Sequence, residues 1–72
     1  MGVRPNGARR VAASETMHLW EIEGEIFSAF ASAATDTFGC PVGRRHVCAA
    51  SDLKDYLASP AGAEFARAEV AP

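Results

Sequence analysis

Hydrophobic and polar positions change their spacing near residue 27. From Trp20 to Ile26, apolar and acidic residues alternate, and this period of two predicts a strand. Beyond that point the apolar positions recur every three or four residues, which is typical of an amphipathic helix; they are Phe27, Phe30, Ala31, Ala34 and Phe38. We therefore expect a strand over residues 17–26 that leads directly into a helix from Ser28 to Phe38.

The predicted strand has two different faces. Its even positions are mainly apolar (His18, Trp20, Ile22, Gly24 and Ile26), and three of its odd positions are acidic (Glu21, Glu23 and Glu25). A helical interpretation would align Leu19, Ile22 and Ile26 instead. Gly24 would then cost the helix about 1 kcal/mol relative to alanine, so we favour the strand.

The rest of the chain predicts a second strand and two more helices. Gly39 and Pro41 end the first helix, and residues 44–49 form a short segment, bounded by Gly and Ser, that predicts a strand. Ser51 is expected to cap a helix that continues to Ser59, and Ser59 followed by Pro60 begins a last helix over 60–69. The order is β-α-β-α, for which two strands of one sheet would be parallel.

The predicted fold class is α+β, with a two- to three-stranded sheet and helices packed on one face. Residues 1–8 have little to bury and are expected to form a flexible basic tail, and 9–72 form one small domain. Two strands alone are rarely stable. A third must come from residues 9–13 or from another molecule, which predicts a homodimer or strand addition to a partner.

Charge and hydropathy narrow the class of protein. Residues 1–13 carry three arginines and no acid, whereas 14–72 carry four basic and nine acidic residues, so +3 and −5 give the net charge of −2. No apolar run approaches the roughly 18 residues that span a bilayer. We expect a cytoplasmic protein that does not bind membranes, in which Cys40 and Cys48 are reduced thiols.

The histidine and cysteine residues are poorly spaced for metal binding or nucleophilic catalysis. Cys40, His46 and Cys48, with His18 as a fourth ligand, lack the Cys-x2-4-Cys element that structural zinc sites usually have. Cys40 follows a predicted helix end, where the negative end of the dipole is a poor position for a nucleophilic thiolate. The sequence therefore predicts no metal, no cofactor and no catalytic residue, and hence no enzyme.

Two sets of residues are candidates for binding. The first is a protein-binding surface made of Trp20 and an acidic strand face, although a solvated face explains the acids equally simply; its residues are Trp20, Glu21, Glu23 and Glu25. The second is a nucleic-acid contact through four arginines, Arg9, Arg10, Arg44 and Arg45, which would have to converge on one face. The sequence thus predicts an accessory or inhibitor module that binds a protein, and alternatively a nucleic-acid-associated regulator.

Overall fold

The computed structural model describes residues 7–66, which form four strands followed by short helical segments. The strands pair in chain order, each antiparallel to the next. They are β1 (Arg9–Ala13), β2 (Met17–Ile22), β3 (Glu25–Phe30) and β4 (Arg45–Ala49). A 3-10 turn (Ala50–Asp52), α1 (Leu53–Ala58), a second 3-10 turn (Pro60–Gly62) and α2 (Ala63–Ala66) follow.

The α+β class is confirmed, but the predicted β-α-β-α order, the parallel pairing and the strand count are wrong. The segment expected to be one strand is a hairpin, because Glu23 and Gly24 both have positive φ, at 52° and 81°. Positive φ at both central residues defines a type I′ turn, whose twist matches that of the flanking strands. The period-two pattern continues through this turn and therefore conceals it.

The helix expected over Ser28–Phe38 is also wrong. β3 continues to Phe30, because it pairs along its length with β2 and also pairs with β4 on its other side. Residues 31–44 then form a long connection to β4. The helical spacing of Phe30, Ala34 and Phe38 therefore comes from residues that belong to no helix.

The expectation of a strand in residues 9–13 is confirmed, and it completes the sheet without another molecule. The connection to β2 lacks glycine and asparagine, and Ser14 supplies the turn chemistry instead. The Ser14 amide donates to the carbonyl oxygen of Met17 at 2.8 Å, and the Met17 amide donates to the Ser14 hydroxyl at 3.1 Å. The incomplete sheet is thus no longer an argument for a homodimer.

The segment after β4 follows the prediction in outline. β4 and α1 lie within the predicted strand and helix. Ser51 is not the predicted cap, because the N-cap residues are Ala49 for the 3-10 turn and Asp52 for α1, and neither makes a side-chain capping hydrogen bond. Ser59 does cap, because its side chain accepts a hydrogen bond from the Gly62 amide. Pro60 begins that turn as expected. Residues 67–69 of the predicted last helix lie outside the described residues, as do residues 1–6 of the predicted tail.

The main core lies between one face of the sheet and the helical segments. Leu19 and Ile26 are fully buried there against Phe65. The other core residues are Val11 and Ala12, with Met17, Val47, Cys48, Ala50, Leu53, Tyr56 and Leu57 packed around them. Because Met17 and Leu19 are odd positions of β2, it is the odd face of that strand that meets the helices.

The β3–β4 connection covers the second face of the sheet. Ile22 and Ala29 lie on this face and are buried, although they are not part of the helix-side core. Cys40 and Pro41 of the connection are buried as well. The Arg44 guanidinium lies 5.3 Å from the centroid of the Phe27 ring, which holds the end of the connection against the same face. Among the described helices, none has the length and apolar character needed to cross a bilayer.

The hairpin turn can be tested by two substitutions of opposite expected effect. Glu23→Asn should raise the free energy of unfolding by up to about 1 kcal/mol, because asparagine tolerates positive φ better than glutamate. Gly24→Ala should lower it by about 1–2 kcal/mol, the cost of a Cβ at positive φ. Nothing lies within 4 Å of a Cβ placed at Gly24, so the loss would report backbone strain and not a clash. Urea midpoints at an unchanged m-value measure both effects, and an unchanged midpoint for Gly24→Ala would contradict the assigned turn.

Candidate interaction surface

The three acidic residues of the predicted binding face do not share one face. Glu21 lies opposite Arg9 on the helix side of the sheet, and the two side chains form an ion pair. Glu23 is exposed in the hairpin turn. Glu25 lies on the second face, with its Oε1 2.7 Å from Nε2 of His46. The expected acidic strand face is therefore wrong as a surface, and the turn at residues 23–24 is the reason.

Trp20, the fourth residue of that set, is half-buried on the second face of the sheet. It faces Phe27 across the strand pair, and His18 lies next to it at 6.3 Å between ring centroids. Its indole Nε1 is buried and finds no hydrogen-bond acceptor in the described part of the chain. An indole in this position packs as part of the fold, and its role in partner binding stays a prediction.

The four arginines divide between the two faces of the sheet. Arg10 lies opposite Trp20, and Arg44 stacks on Phe27, so both belong to the second face. Arg9 lies on the helix side with Glu21, and Arg45 lies opposite Ser28 on that same side. The four arginines therefore do not converge on one face, as a nucleic-acid contact would require.

His46 and Cys48, two of the considered metal ligands, also lie on opposite faces of the sheet. His46 lies opposite Phe27 on the second face, and its ring makes an edge contact with that ring at 5.4 Å, whereas Cys48 lies opposite Ile26 on the helix side. Residues 7–66 contain no group of three His, Cys, Asp or Glu side chains that could hold a metal ion. No disulfide joins Cys40 and Cys48.

Three titratable groups of the sheet and α1 are perturbed. Burial, followed by the charge of Arg10, lowers the pKa of His18 on the second face. Burial is also the main cause that raises the pKa of the Cys48 thiol and of the Tyr56 hydroxyl, which both pack against the helix-side core, and the charge of Cys48 adds to the rise of the Tyr56 pKa. A raised pKa favours the protonated form, so these shifts make neither group a better nucleophile or base.

One carboxylate, that of Asp36, holds the tip of the β3–β4 connection. Oδ1 of Asp36 accepts hydrogen bonds from the amides of Phe38, at 2.8 Å, and Cys40, at 3.0 Å. These two bonds are the main causes that lower the pKa of Asp36. The backbone adds a bond from the Val42 amide to the Ala34 carbonyl oxygen at 2.8 Å. The tip of the connection, with Phe38, is therefore held by internal hydrogen bonds.

The connection displays large apolar side chains to solvent. Phe30 at its base is 68% exposed, Phe38 at its tip 45% and Val42 59%. Pro41 is buried, whereas Val42 lies in a turn with Gly43, whose φ is 82°, and is exposed. We define the connection surface as the exposed side of residues 31–43, which includes Phe38 and Val42; Phe30 lies opposite Met17, on the helix side of the sheet. It is the candidate interaction surface of the molecule, because exposed aromatic side chains often mark sites of protein contact.

The connection surface also has very little charge. From residue 26 to residue 43, Asp36 is the sole ionisable acid or base apart from the thiol of Cys40, and the exposed positions are mostly Ala, Ser, Thr and Phe. Depletion of charge around exposed aromatic residues is typical of the centre of protein interfaces. Sequence reasoning missed this surface because Phe38 continues the helical spacing that begins at Phe27 and Phe30. The uncharged stretch itself was the available signal.

Comparison with protein-family models, with curated proteins and with solved structures finds no match for this chain.

The role of Asp36 predicts a pH dependence of the loop. Since the pKa of Asp36 is lowered in the folded protein, its ionised form stabilises the loop above the ordinary pKa, and this stabilisation is lost as the pH falls through the lowered value. The amide proton shifts of Phe38 and Cys40 should therefore titrate together, with a midpoint below that of an ordinary aspartate. An NMR titration measures this.

Two variants provide the controls for the titration. Asp36→Asn keeps an oxygen acceptor without the titrating charge, so the two amides should keep their hydrogen-bonded shifts and lose the pH dependence. Asp36→Ala removes the acceptor, and the shifts should move toward unbonded values at every pH. A wild-type midpoint at the ordinary aspartate value would show that the carboxylate does not hold the loop.

Proposed function

We propose that this chain is a small non-catalytic protein-interaction domain, an accessory or inhibitor module, which binds its partner through the connection surface. The observation that carries the proposal is the exposure of Phe38 and Val42 within one nearly uncharged stretch. A partner would remove these side chains from water, and burial of an apolar side chain contributes about 1.5–3 kcal/mol when it is complete.

The order of the loop adds to this support. A disordered segment loses conformational freedom when it binds, and that loss reduces its affinity. The Phe38 backbone is already held by the hydrogen bond from its amide to Asp36, so the cost of ordering the backbone on binding is small. An aromatic side chain at the tip of a preorganised loop is suited to fill an apolar depression on another protein.

Other surfaces of the domain support the proposal less well. Both edge strands of the sheet contain an irregularity, between Arg10 and Ala12 in β1 and opposite Ile26 and Phe27 in β4. Bulges at an edge disfavour the addition of a further strand. Strand addition to a partner, which the sequence suggested, is therefore the weaker route to binding.

The alternative of a nucleic-acid-associated regulator has less support. Arg10 and Arg44 share the second face with aromatic rings, but Arg9 and Arg45 lie on the other side. Glu25 and Asp36 also lie near this second face, beside His46 and Arg44. The local charge nearly cancels, whereas binding to a phosphate backbone depends on an excess of positive charge. We further propose a cytoplasmic location for the domain, on the grounds that two cysteines are too few for a disulfide framework.

Site-specific photocrosslinking in the cells that produce the protein tests the proposed function. A benzophenone amino acid replaces Phe38 in one variant and Lys54, which is exposed on α1, in a matched control. Covalent adducts with protein should form from position 38 and be weak or absent from position 54. Adducts of twice the chain mass would identify a second copy, and other masses a different protein.

Competition shows whether such adducts are specific. Added wild-type protein should suppress the adducts of position 38, whereas Phe38→Ser should compete at least about thirtyfold less well, the effect of losing an interface anchor worth about 2 kcal/mol. Thr37→Ser, in the same loop, should compete like the wild type. Equal adduct formation from both positions, or equal competition by Phe38→Ser, would contradict the proposed function.

A further inference from the structure

We propose that a second binding site lies on the second face of the sheet, where Arg10, His18 and Trp20 together bind an acidic segment of a protein partner. We call these three residues the Arg10 site. They lie in β1 and β2 and are distinct from the residues of the connection surface. The inference therefore goes beyond the proposed function. Its grounds are an exposed guanidinium beside two half-buried rings, and the lack of acid on this part of the face.

The pairing of β1 with β2 builds the Arg10 site. Arg10 lies opposite Trp20, and Ala13 lies opposite His18, so these side chains share the second face. The His18 and Trp20 rings are 6.3 Å apart between centroids. Both rings are half-buried, whereas Arg10 is exposed. The sheet therefore places a cation that can move toward a ligand beside two rings that are partly held within the fold.

The charge of Arg10 has no counterpart nearby. Arg10 forms no ion pair with any of residues 7–66, and the second-face positions of β1 and β2 contain no acid. Glu25, the acid on this face of β3, lies against His46 instead. On the other side of the sheet, by contrast, Arg9 is paired with Glu21. A carboxylate from another protein would supply the complementary charge that this part of the fold lacks.

The residue types suit a carboxylate on a partly apolar peptide. A guanidinium can donate two parallel hydrogen bonds to one carboxylate, and such charge-assisted bonds are stronger than neutral ones. Tryptophan and arginine are also enriched among the side chains that dominate binding energy at protein interfaces. Binding to a phosphate backbone would require several cations, whereas Arg10 is the one arginine of this site. The chemistry therefore favours an acidic peptide over a nucleic acid.

His18 should make this binding depend on pH. Burial and then the charge of Arg10 lower the pKa of His18, so its ring is mostly neutral at neutral pH. A bound carboxylate would favour the protonated ring and raise that pKa, so proton uptake should accompany binding and affinity should rise as the pH falls. The other ionisable groups on or near this face are not causes of the His18 shift; they are Glu25, His46, Arg44 and Asp36.

Fluorescence anisotropy of a labelled peptide, with the whole chain as the binding protein, tests the Arg10 site. The probe alternates glutamate and leucine, and its control has glutamine in place of glutamate. The control should bind at least about tenfold more weakly, the loss of one charge-assisted contact. The glutamate peptide should bind at least about threefold more tightly at about pH 6 than at about pH 8, and His18→Gln should remove this pH dependence.

Two arginine variants separate the site from the net charge of the chain. Arg10→Gln should weaken binding of the glutamate peptide by at least about tenfold. Arg45→Gln removes the same charge from an exposed arginine that lies opposite Ser28 on the helix side, and it should bind like the wild type. Trp20 is the sole tryptophan of the chain, so its emission should change as the peptide binds, with the same affinity.

Several results would overturn the proposal. Equal binding of the glutamine peptide would show contact without charge recognition, and equal losses in Arg10→Gln and Arg45→Gln would show an effect of net charge alone. Tighter binding of an oligothymidylate of equal length would indicate a nucleic-acid contact instead. No binding of the glutamate peptide at near-millimolar protein, together with adducts from position 38, would overturn the Arg10 site and leave the proposed function in place. Peptide binding without those adducts would have the opposite meaning.

Discussion

The pairing of β2 with β3 is the constraint on which the rest of the structure depends. The turn at Glu23 and Gly24 fixes the register, because a two-residue type I′ turn places Ile22 opposite Glu25. That register sends Leu19 and Ile26 to the side on which the helical segments pack. A shift by one residue would exchange the two faces, placing Trp20 under the helices and Leu19 under the connection.

The hairpin also determines where the connection must go. β3 lies between β2 and β4, and the chain needs residues 31–44 to reach the start of β4. The helix-side face is occupied by residues that follow β4, including Phe65. The connection ends on the second face, where Arg44 lies over the Phe27 ring, and its Cys40 and Pro41 are buried. Val42 follows the buried Pro41 directly and lies in the turn with Gly43 that returns the chain to β4, so its side chain is exposed.

Sequence reasoning recovered the elements whose signals are local and missed those that depend on pairing. Ser59 and Pro60 correctly predicted the start of the second 3-10 turn, because the capping hydrogen bond and the proline both act within residues 59–62. Glu23 and Gly24 were assigned to a strand interior. Their turn needs positive φ at both residues, which an Asn-Gly pair commonly indicates in a sequence and a Glu-Gly pair does not. The helix at Ser28–Phe38 failed because periodicity cannot distinguish residues that pack from residues that stay exposed.

The same error hid the candidate site. An amphipathic interpretation assigns Phe30 and Phe38 to a core, and it was this assignment that left the acidic residues and arginines as the remaining candidates for binding. The structure distributes those charges over both faces and exposes the two rings instead. Apolar periodicity therefore shows a regular spacing and not burial: in the described fold Ala12 and Ala29 occupy core positions, while the larger Phe30 and Phe38 are exposed.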